Sequence, residues 1–321
     1  MNSRFREAKL FDCRPGEIDL LFDAYFLPEP TYVPQILAVA EALRDRAIIP
    51  VLLLAYDIIP ISEPWLLHGR HQMRTDGYFR LLASAENVAY ISAQVGRDIE
   101  TRLRRGAVTN GVILPLGADG LGRTRQRQAP LQPMFVTIGT VEPRKNIPML
   151  LEAMRTLWAG GGQHRLTLIG APGREGDAFL DEFRKIAATD SRVTWFEAGD
   201  DDLVKRTVEG ATALVFASEH EGFGLPPLEA LSLGVPVIAA AQLPALEGLS
   251  AGGQVRLPEM TPQALAEALT DIAVPRVNRA LRRQIDSLDL PVWRDFYEAM
   301  SSWVANTIHQ APVEAALCRR Q

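Results

Sequence analysis

An α/β protein with a parallel sheet, divided into two domains, is the fold class that the sequence predicts. From about Phe135 onward short apolar runs, turns and helical patterns alternate, and such alternation gives a parallel sheet with helices on both faces. A chain of 321 residues also exceeds one ordinary core. Its 47% hydrophobic and 23% charged residues are the composition of a globular chain.

In the first half, Ile36 to Arg46 is expected to be helical, Ile48 to Leu54 a strand and Trp65 to Leu82 helical. Val88 to Ile91 follows as a strand, Gln94 to Arg105 as a helix and Val112 to Leu116 as a strand. Gly117 to Pro133, rich in Gly, Arg and Gln, reads as a linker whose Arg123, Arg125 and Arg127 are solvated, with contact to an anionic surface as the alternative. In the second half the strands are Met134 to Gly139, Arg165 to Gly170, Val193 to Phe196, Ala213 to Ala217 and Val235 to Ala240. Helices Ile147 to Trp158, Phe179 to Ala188 and Asp201 to Glu209 lie between them. Ligands of such sheets bind beyond the C-terminal ends of the strands.

Net charge is −5, which argues against a general nucleic-acid binder. No apolar run reaches the roughly 18 residues of a membrane span; the best candidate, Ala47 to Ala55, is broken by Pro50. The first residues lack the apolar core of a secretory signal, and only Cys13 and Cys318 are present, too few for a disulfide framework. A cytoplasmic location is expected, with peripheral attachment to the inner face of a membrane as its variant.

Chemistry concentrates in two segments. The first, Glu219 to Val235, places Glu221 and Glu229 eight positions apart around Gly-Phe-Gly and Pro226-Pro227. Proline is tolerated in a first helical turn, so Glu221 belongs to a loop and Glu229 to a helix. The glycines let the backbone approach a ligand closely, and the helix start offers N–H groups to an anion. His220 sits inside this motif. The second segment is the basic turn Gly139-Thr-Val-Glu-Pro-Arg-Lys-Asn146, in which Arg144 and Lys145 precede a helix and suit a diphosphate. Its alternative reading is a solvated turn with Asn146 as a helix cap.

The two segments together resemble family 4 of the retaining, nucleotide-sugar-dependent glycosyltransferases, most strongly from about Pro133 to Ala240. The resemblance implies the GT-B fold, two Rossmann-like domains facing across a cleft. Its expected boundaries here are an N-terminal, acceptor-side domain at 1–125 with a linker to about 133, and a nucleotide-sugar-binding domain at 134–290. A helix within 291–321, beginning near Trp293, would cross back to the first domain. Arg144 and Lys145 would hold the donor diphosphate beside Gly139. Glu221 would face the sugar hydroxyls, with the N–H groups of Phe223, Gly224 and Leu225 nearby, and Glu229 would accept from the ribose.

In the first half Tyr56-Asp57-Ile-Ile-Pro60 resembles the family segment His-Asp-x-x-Pro with Tyr56 in place of histidine, and Ser92 resembles its next cleft-facing turn. Asp57 is read equally well as a turn former, and His68 and His71 as surface residues. Members of the family open with a strand and a Gly-rich loop. Here Gly16 is the only glycine before Gly69, so the N-terminal domain is expected to be abbreviated, without its first βαβ unit.

The implied activity is transfer of a sugar from a nucleoside diphosphate donor to an acceptor hydroxyl of a saccharide or lipid-linked saccharide, with retention, in polysaccharide or glycoconjugate assembly. The form Glu-Pro-Arg-Lys-Asn favours mannose and GDP-mannose over UDP-sugars. No cofactor and no metal are expected, since Asp200-Asp-Asp202 fits a helix start better than a metal motif. The alternatives are a noncatalytic nucleotide-sugar-binding or partner subunit with a degenerate N-terminal domain and, behind it, a sugar epimerase on the same fold.

Overall fold

The computed structural model describes residues 22–47, 49–64, 72–104, 111–124, 128–173 and 178–310, those at 72–75 by their backbone alone. Cys13, Gly16, Trp65, His68, His71, Arg125, Arg127 and Cys318 lie outside the described residues or carry no described side chain.

The described residues form two parallel sheets. The first contains β1 (Tyr25–Leu27), β2 (Val51–Ala55), β3 (Asn87–Tyr90) and β4 (Val112–Ile113), in that spatial order. Every residue of β2, Val-Leu-Leu-Leu-Ala, is buried, as expected for a strand covered on both faces. Its connections are α1 (Pro34–Arg46), a short turn of helix α2 (Ile59–Ser62) with α3 (Gln72–Ser84), and α4 (Ala93–Asp98), which continues as a π-helical stretch through Arg104. Ser92 caps α4 by accepting from the Val95 N–H at 3.1 Å. Helices α1 and α3 approach closely at Gly77, where a Cβ would lie 2.8 Å from Leu37.

The second sheet is larger. Its strands are β5 (Met134–Ile138), β6 (Arg165–Ile169), β7 (Val193–Phe196), β8 (Ala213–Phe216), β9 (Val237–Ala240) and β10 (Gln254–Leu257). Their spatial order is β10-β9-β8-β5-β6-β7, all parallel. On one face α5 (Ile147–Ala159) and α9 (Pro262–Ala273) pack Leu150, Met154, Leu265 and Leu269 onto Phe135, Leu166 and Leu168. The other connections are α6 (Ala178–Thr189), α7 (Asp201–Glu209), α8 (Leu225–Ser232), α10 (Pro275–Ile285) and α11 (Trp293–Gln310). Asp200 caps α7, accepting from the Leu203 N–H at 2.8 Å, which is why the acidic run stands there.

A second apolar cluster ignores the division into sheets. It runs from Leu52, Leu53 and Val88 of the first sheet through Phe223 and Leu228 to Val136 and Leu214 of the second, and takes in Phe296 and Trp303 of α11. The indole of Trp303 meets Phe26 of β1 edge-on, with centroids 6.3 Å apart.

Three expectations need correction. Strand β1 was not anticipated: three residues between Asp23 and Pro28 are too short to show a period. With α1 and β2 it forms a βαβ unit, and Pro28-Glu29-Pro30 follows the strand. The strand expected at Val112 to Leu116 ends at Ile113, because proline at 115 cannot donate to a ladder. The last strand starts at Val237, as the peptide around Pro236 only leads into it. Elements β10, α9 and α10 had no expectation.

Candidate active site

Strands β5 and β8 are neighbours although about eighty residues apart, because the sheet grows in opposite directions from this pair. The crevice beyond the C-terminal ends of two such strands is where open α/β sheets bind ligands. The basic turn follows β5 and the Glu-Gly-Phe-Gly loop follows β8, so the topology alone makes them meet.

Their meeting point is the Glu221 carboxylate. It accepts from Arg144 Nη1 at 2.9 Å, Lys145 Nζ at 2.5 Å and Ser218 Oγ at 2.7 Å. Arg144 also donates through Nε to Glu142 at 3.0 Å, and Lys145 Nζ lies 5.0 Å from the centre of the Phe216 ring. The turn begins at Gly139, whose φ is 144° and whose Cα faces the Lys145 side chain. Burial by itself would raise the Glu221 carboxyl, but Lys145 and Arg144, with the hydrogen bonds from Lys145 and Ser218, outweigh it and hold the group below its ordinary value. Burial lowers the Lys145 ammonium despite Glu221; for Arg144 the pull of Glu221 and Glu142 outweighs burial and raises it.

Asn146 is not a side-chain cap. It occupies the left-handed region at φ 51° and donates from Nδ2 to Ala217 O and to Glu219, both at 3.1 Å, stitching the two turns together. Gly224, at φ 93°, turns the second loop into α8, with Pro226 and Pro227 in its first turn. Among the described residues the N–H groups of Phe223, Gly224 and Leu225 donate to no protein acceptor. They are open to an anion or a hydroxyl, as helix starts are.

Glu229 lies one turn inside α8, where Gly120 of the linker leaves its Oε1 room: a Cβ there would come within 3.2 Å. Burial, aided by Asp201, pushes its carboxyl up to about 7. No protein donor reaches it among the described residues.

The first sheet presses on the same loop. A Cβ on Gly222 would lie 1.9 Å from the Tyr56 carbonyl oxygen and 3.1 Å from Asp57 Cβ, so this position is confined to glycine by contact with the first half. Ser92 Oγ donates to Gly222 O at 2.7 Å. Asp57 accepts from the Ile59 N–H at 3.0 Å, the turn-forming bond, and also lies within the field of Arg144 and Glu221. Burial raises its carboxyl. Burial also raises the Tyr56 phenol, with Glu29 adding to the effect. His220 is exposed at the rim, its Nδ1 3.8 Å from Glu63 of the first half. Arg97 and Glu247 add an exposed ion pair between the halves at 3.1 Å.

Thus Arg144, Lys145, Glu221, Asp57, Tyr56 and Ser92 converge on one loop, whereas Glu229 occupies a separate position along α8. The sequence did not single out Ser218, Glu142 or Tyr78. Tyr78 is buried on α3 near Asp57, Tyr32 and Tyr56, with a phenol oxygen that has no partner among the described residues. Ser218 had a local signal, since it follows β8 by two residues and stands three before Glu221; Tyr78 had none.

Two parallel sheets, with a charged crevice at the strand-order reversal of the larger one, define a class, the two-domain α/β proteins. The family follows from comparison: residues 123–282 match the model described as "Glycosyl transferases group 1", and this part of the chain belongs to that family. Among curated relatives, the serotype-specific mannosyltransferase WbdA of Escherichia coli is 28% identical over 202 residues, covering 57% of this chain and 25% of the relative. The O-antigen chain mannosyltransferase B of Escherichia coli is 35% identical over 161 residues, 49% of this chain and 40% of the relative. A GDP-mannose-dependent alpha-(1-6)-phosphatidylinositol dimannoside mannosyltransferase of Mycobacterium tuberculosis (strain ATCC 25177 / H37Ra) is 29% identical over 209 residues, 62% of this chain and 53% of the relative. The chain therefore spans about a quarter to a half of these relatives.

Among solved structures, the sucrose-phosphate synthase from Thermosynechococcus elongatus superposes with a TM-score of 0.68 at 20% identity, covering 89% of this chain and 73% of that one. The Anabaena HepE protein, in complex with UDP and glucose, gives 0.69 at 15% identity, covering 91% and 80%. The fold is GT-B. Among the described residues no helix is long and apolar enough to cross a membrane.

Proposed function

We propose that this protein is a retaining glycosyltransferase that moves a sugar, mannose favoured, from a nucleoside diphosphate donor to a hydroxyl of a saccharide or lipid-linked saccharide acceptor. The observation that carries this reading is the Glu221 carboxylate held by both Arg144 and Lys145 beside three open backbone N–H groups. In the free protein Glu221 partly neutralises the two cations in advance. An arriving diphosphate shares them, because Lys145 has three donors and Arg144 a planar fork. Glu221 is then placed to accept from hydroxyls of the donor sugar, and Glu229, which lacks a protein donor, from the ribose diol.

In the transfer the bond from the anomeric carbon to the diphosphate oxygen breaks while the acceptor oxygen bonds to that carbon on the same face. The acceptor proton passes to the departing diphosphate. Negative charge grows on that diphosphate in the transition state, where fixed cations and N–H groups stabilise it most. The proposal calls for no metal or cofactor; Asp200 is committed to capping α7. GDP-mannose is the favoured donor on the strength of the mannosyltransferase relatives, one of them GDP-mannose-dependent.

Calorimetry of the full chain with GDP-mannose and UDP-glucose, then transfer assays with mannose-terminated oligosaccharides, tests the proposal. Tight GDP-mannose binding with an α-linked product, read from its anomeric proton, is expected. Binding without transfer or donor hydrolysis across such acceptors would instead identify a noncatalytic binding subunit. The opposite anomer would remove retention.

A further inference from the structure

On the side of the second sheet where the strands begin, away from Glu221, lies a pocket of about 290 Å³ lined by Gln128, Arg279, Arg282, Arg283 and Asp286. Its base is built. Arg282, 4% exposed, donates from Nη1 to Gly234 O at 3.0 Å, from Nη2 to Ala211 O at 2.6 Å and from Nε to Asn278 at 2.7 Å. Asn278 in turn donates to Thr212 O at 2.8 Å. Ala211 and Thr212 lead into β8 and Gly234 precedes β9, so a cation is fixed at this edge of the sheet. Burial pushes its guanidinium down to about 10, which still leaves it charged at neutral pH.

Arg279 and Arg283 are exposed on α10, one turn apart and on one face of the helix. Neither has an ion pair or hydrogen bond among the described residues. Like charges at this spacing oppose helix formation, and here the pair stands over a third guanidinium. Among the described residues Asp286 is the only carboxylate lining the pocket. The chain as a whole carries −5, so this positive concavity is local. A concave cluster of one sign focuses potential and concentrates counter-ions, and guanidinium forks match phosphate oxygens in pairs.

We propose that this pocket binds a phosphate group, of a soluble phosphate or of a phospholipid headgroup, through Arg279 and Arg283, with the Gln128 amide at its rim and Arg282 as its cationic floor. The proposal does not rest on sugar transfer. To keep the Arg144–Lys145 crevice out of the measurement, the full chain is tested in a Lys145→Ala background. One arm follows thermal unfolding with inorganic phosphate replacing chloride at constant ionic strength. The other follows flotation with vesicles of phosphatidylglycerol mixed into phosphatidylcholine, against phosphatidylcholine alone.

Either response is expected to weaken about ten-fold or more in R279Q/R283Q, the effect of one lost charge-assisted hydrogen bond. R279K/R283K should retain part of it. A response confined to inorganic phosphate identifies a soluble ligand, and one confined to the anionic vesicles a headgroup. No response in either arm, or responses that R279Q/R283Q leaves unchanged, overturns the proposal. If the double variant does not fold, R279Q alone, altering one exposed side chain, is judged by the same outcomes.

Discussion

At the residue scale Lys145 and Glu229 illustrate opposite uses of burial. Lys145 is desolvated yet keeps a partner, so its charge is held where a leaving group would form. Lys145→Ala should lower kcat by about 10²-fold, the order of effect seen when one preorganised donor to a developing anion is removed. Turnover near the wild-type value with an identified donor would refute the diphosphate assignment. Glu229 is desolvated without a protein donor, and its carboxyl stands at about 7 against an ordinary 4.5. A carboxyl raised by folding binds its proton more tightly in the native state. Its contribution to stability is therefore fully present below about 4.5 and is lost as pH rises toward 7. Glu229→Gln should flatten the fall in Tm across that window. If ribose hydroxyls donate to the ionised carboxylate, donor binding must release a proton near pH 6 to 7, and donor affinity must rise with pH there. Calorimetry in buffers of different ionisation heat reads that proton directly. An unchanged proton count in Glu229→Gln would show that another group is responsible.

Among the elements, those of the second half were largely legible, because β8 and β9 are fully buried apolar runs, β5 and β6 nearly so, and the helices between them carry amphipathic periods. β7 and α7 have the expected bounds, Val193–Phe196 and Asp201–Glu209. The first half was less so. Tyr25–Leu27 is a strand only because Val51–Leu53 lies beside it, and a three-residue pairing leaves no local period. The same limit applies to the site. Arg144, Lys145 and Glu221 declare themselves by residue type and motif, whereas Gly222 looks like ordinary loop glycine until Tyr56 is seen against it. Here the contact between loops is backbone on backbone, so Gly222→Ala cannot be absorbed by a rotamer change. It should cost about 1–3 kcal/mol by overpacking, measured as a lower denaturant midpoint. Ser92→Ala removes both the hydrogen bond to Gly222 O and the cap of α4, and should cost about 1–3 kcal/mol. If Gly222→Ala were neutral, the halves would not be in contact at this loop in solution.

For the whole molecule the apolar cluster that joins the two sheets makes a further demand. Phe296 and Trp303 of α11 belong to it, and the start of that helix is tied to the linker by Trp293 N donating to Asp119 at 2.8 Å and by Ala118 N donating to Pro291 O at 2.8 Å. Helix α11 therefore acts as a strap across the outer side of the joint, while Ser92 and Gly222 close it within the cleft. Two halves coupled through a continuous core unfold together, since neither can expose its share without exposing the other's. Trp303, only 7% exposed and set edge-on against Phe26, is one of the strap's two buried anchors, with Phe296. Trp303→Ala should destabilise by about 3–5 kcal/mol, the range for truncating a buried large aromatic. It should also separate the transitions: near-ultraviolet signals of the first half are lost at lower denaturant than unfolding of the second, which a saturating nucleotide ligand of the Arg144–Lys145 crevice would shift upward on its own. A single coincident transition in Trp303→Ala, lowered but unsplit, would mean that the contacts around Gly222 suffice to couple the halves and that the strap contributes only stability.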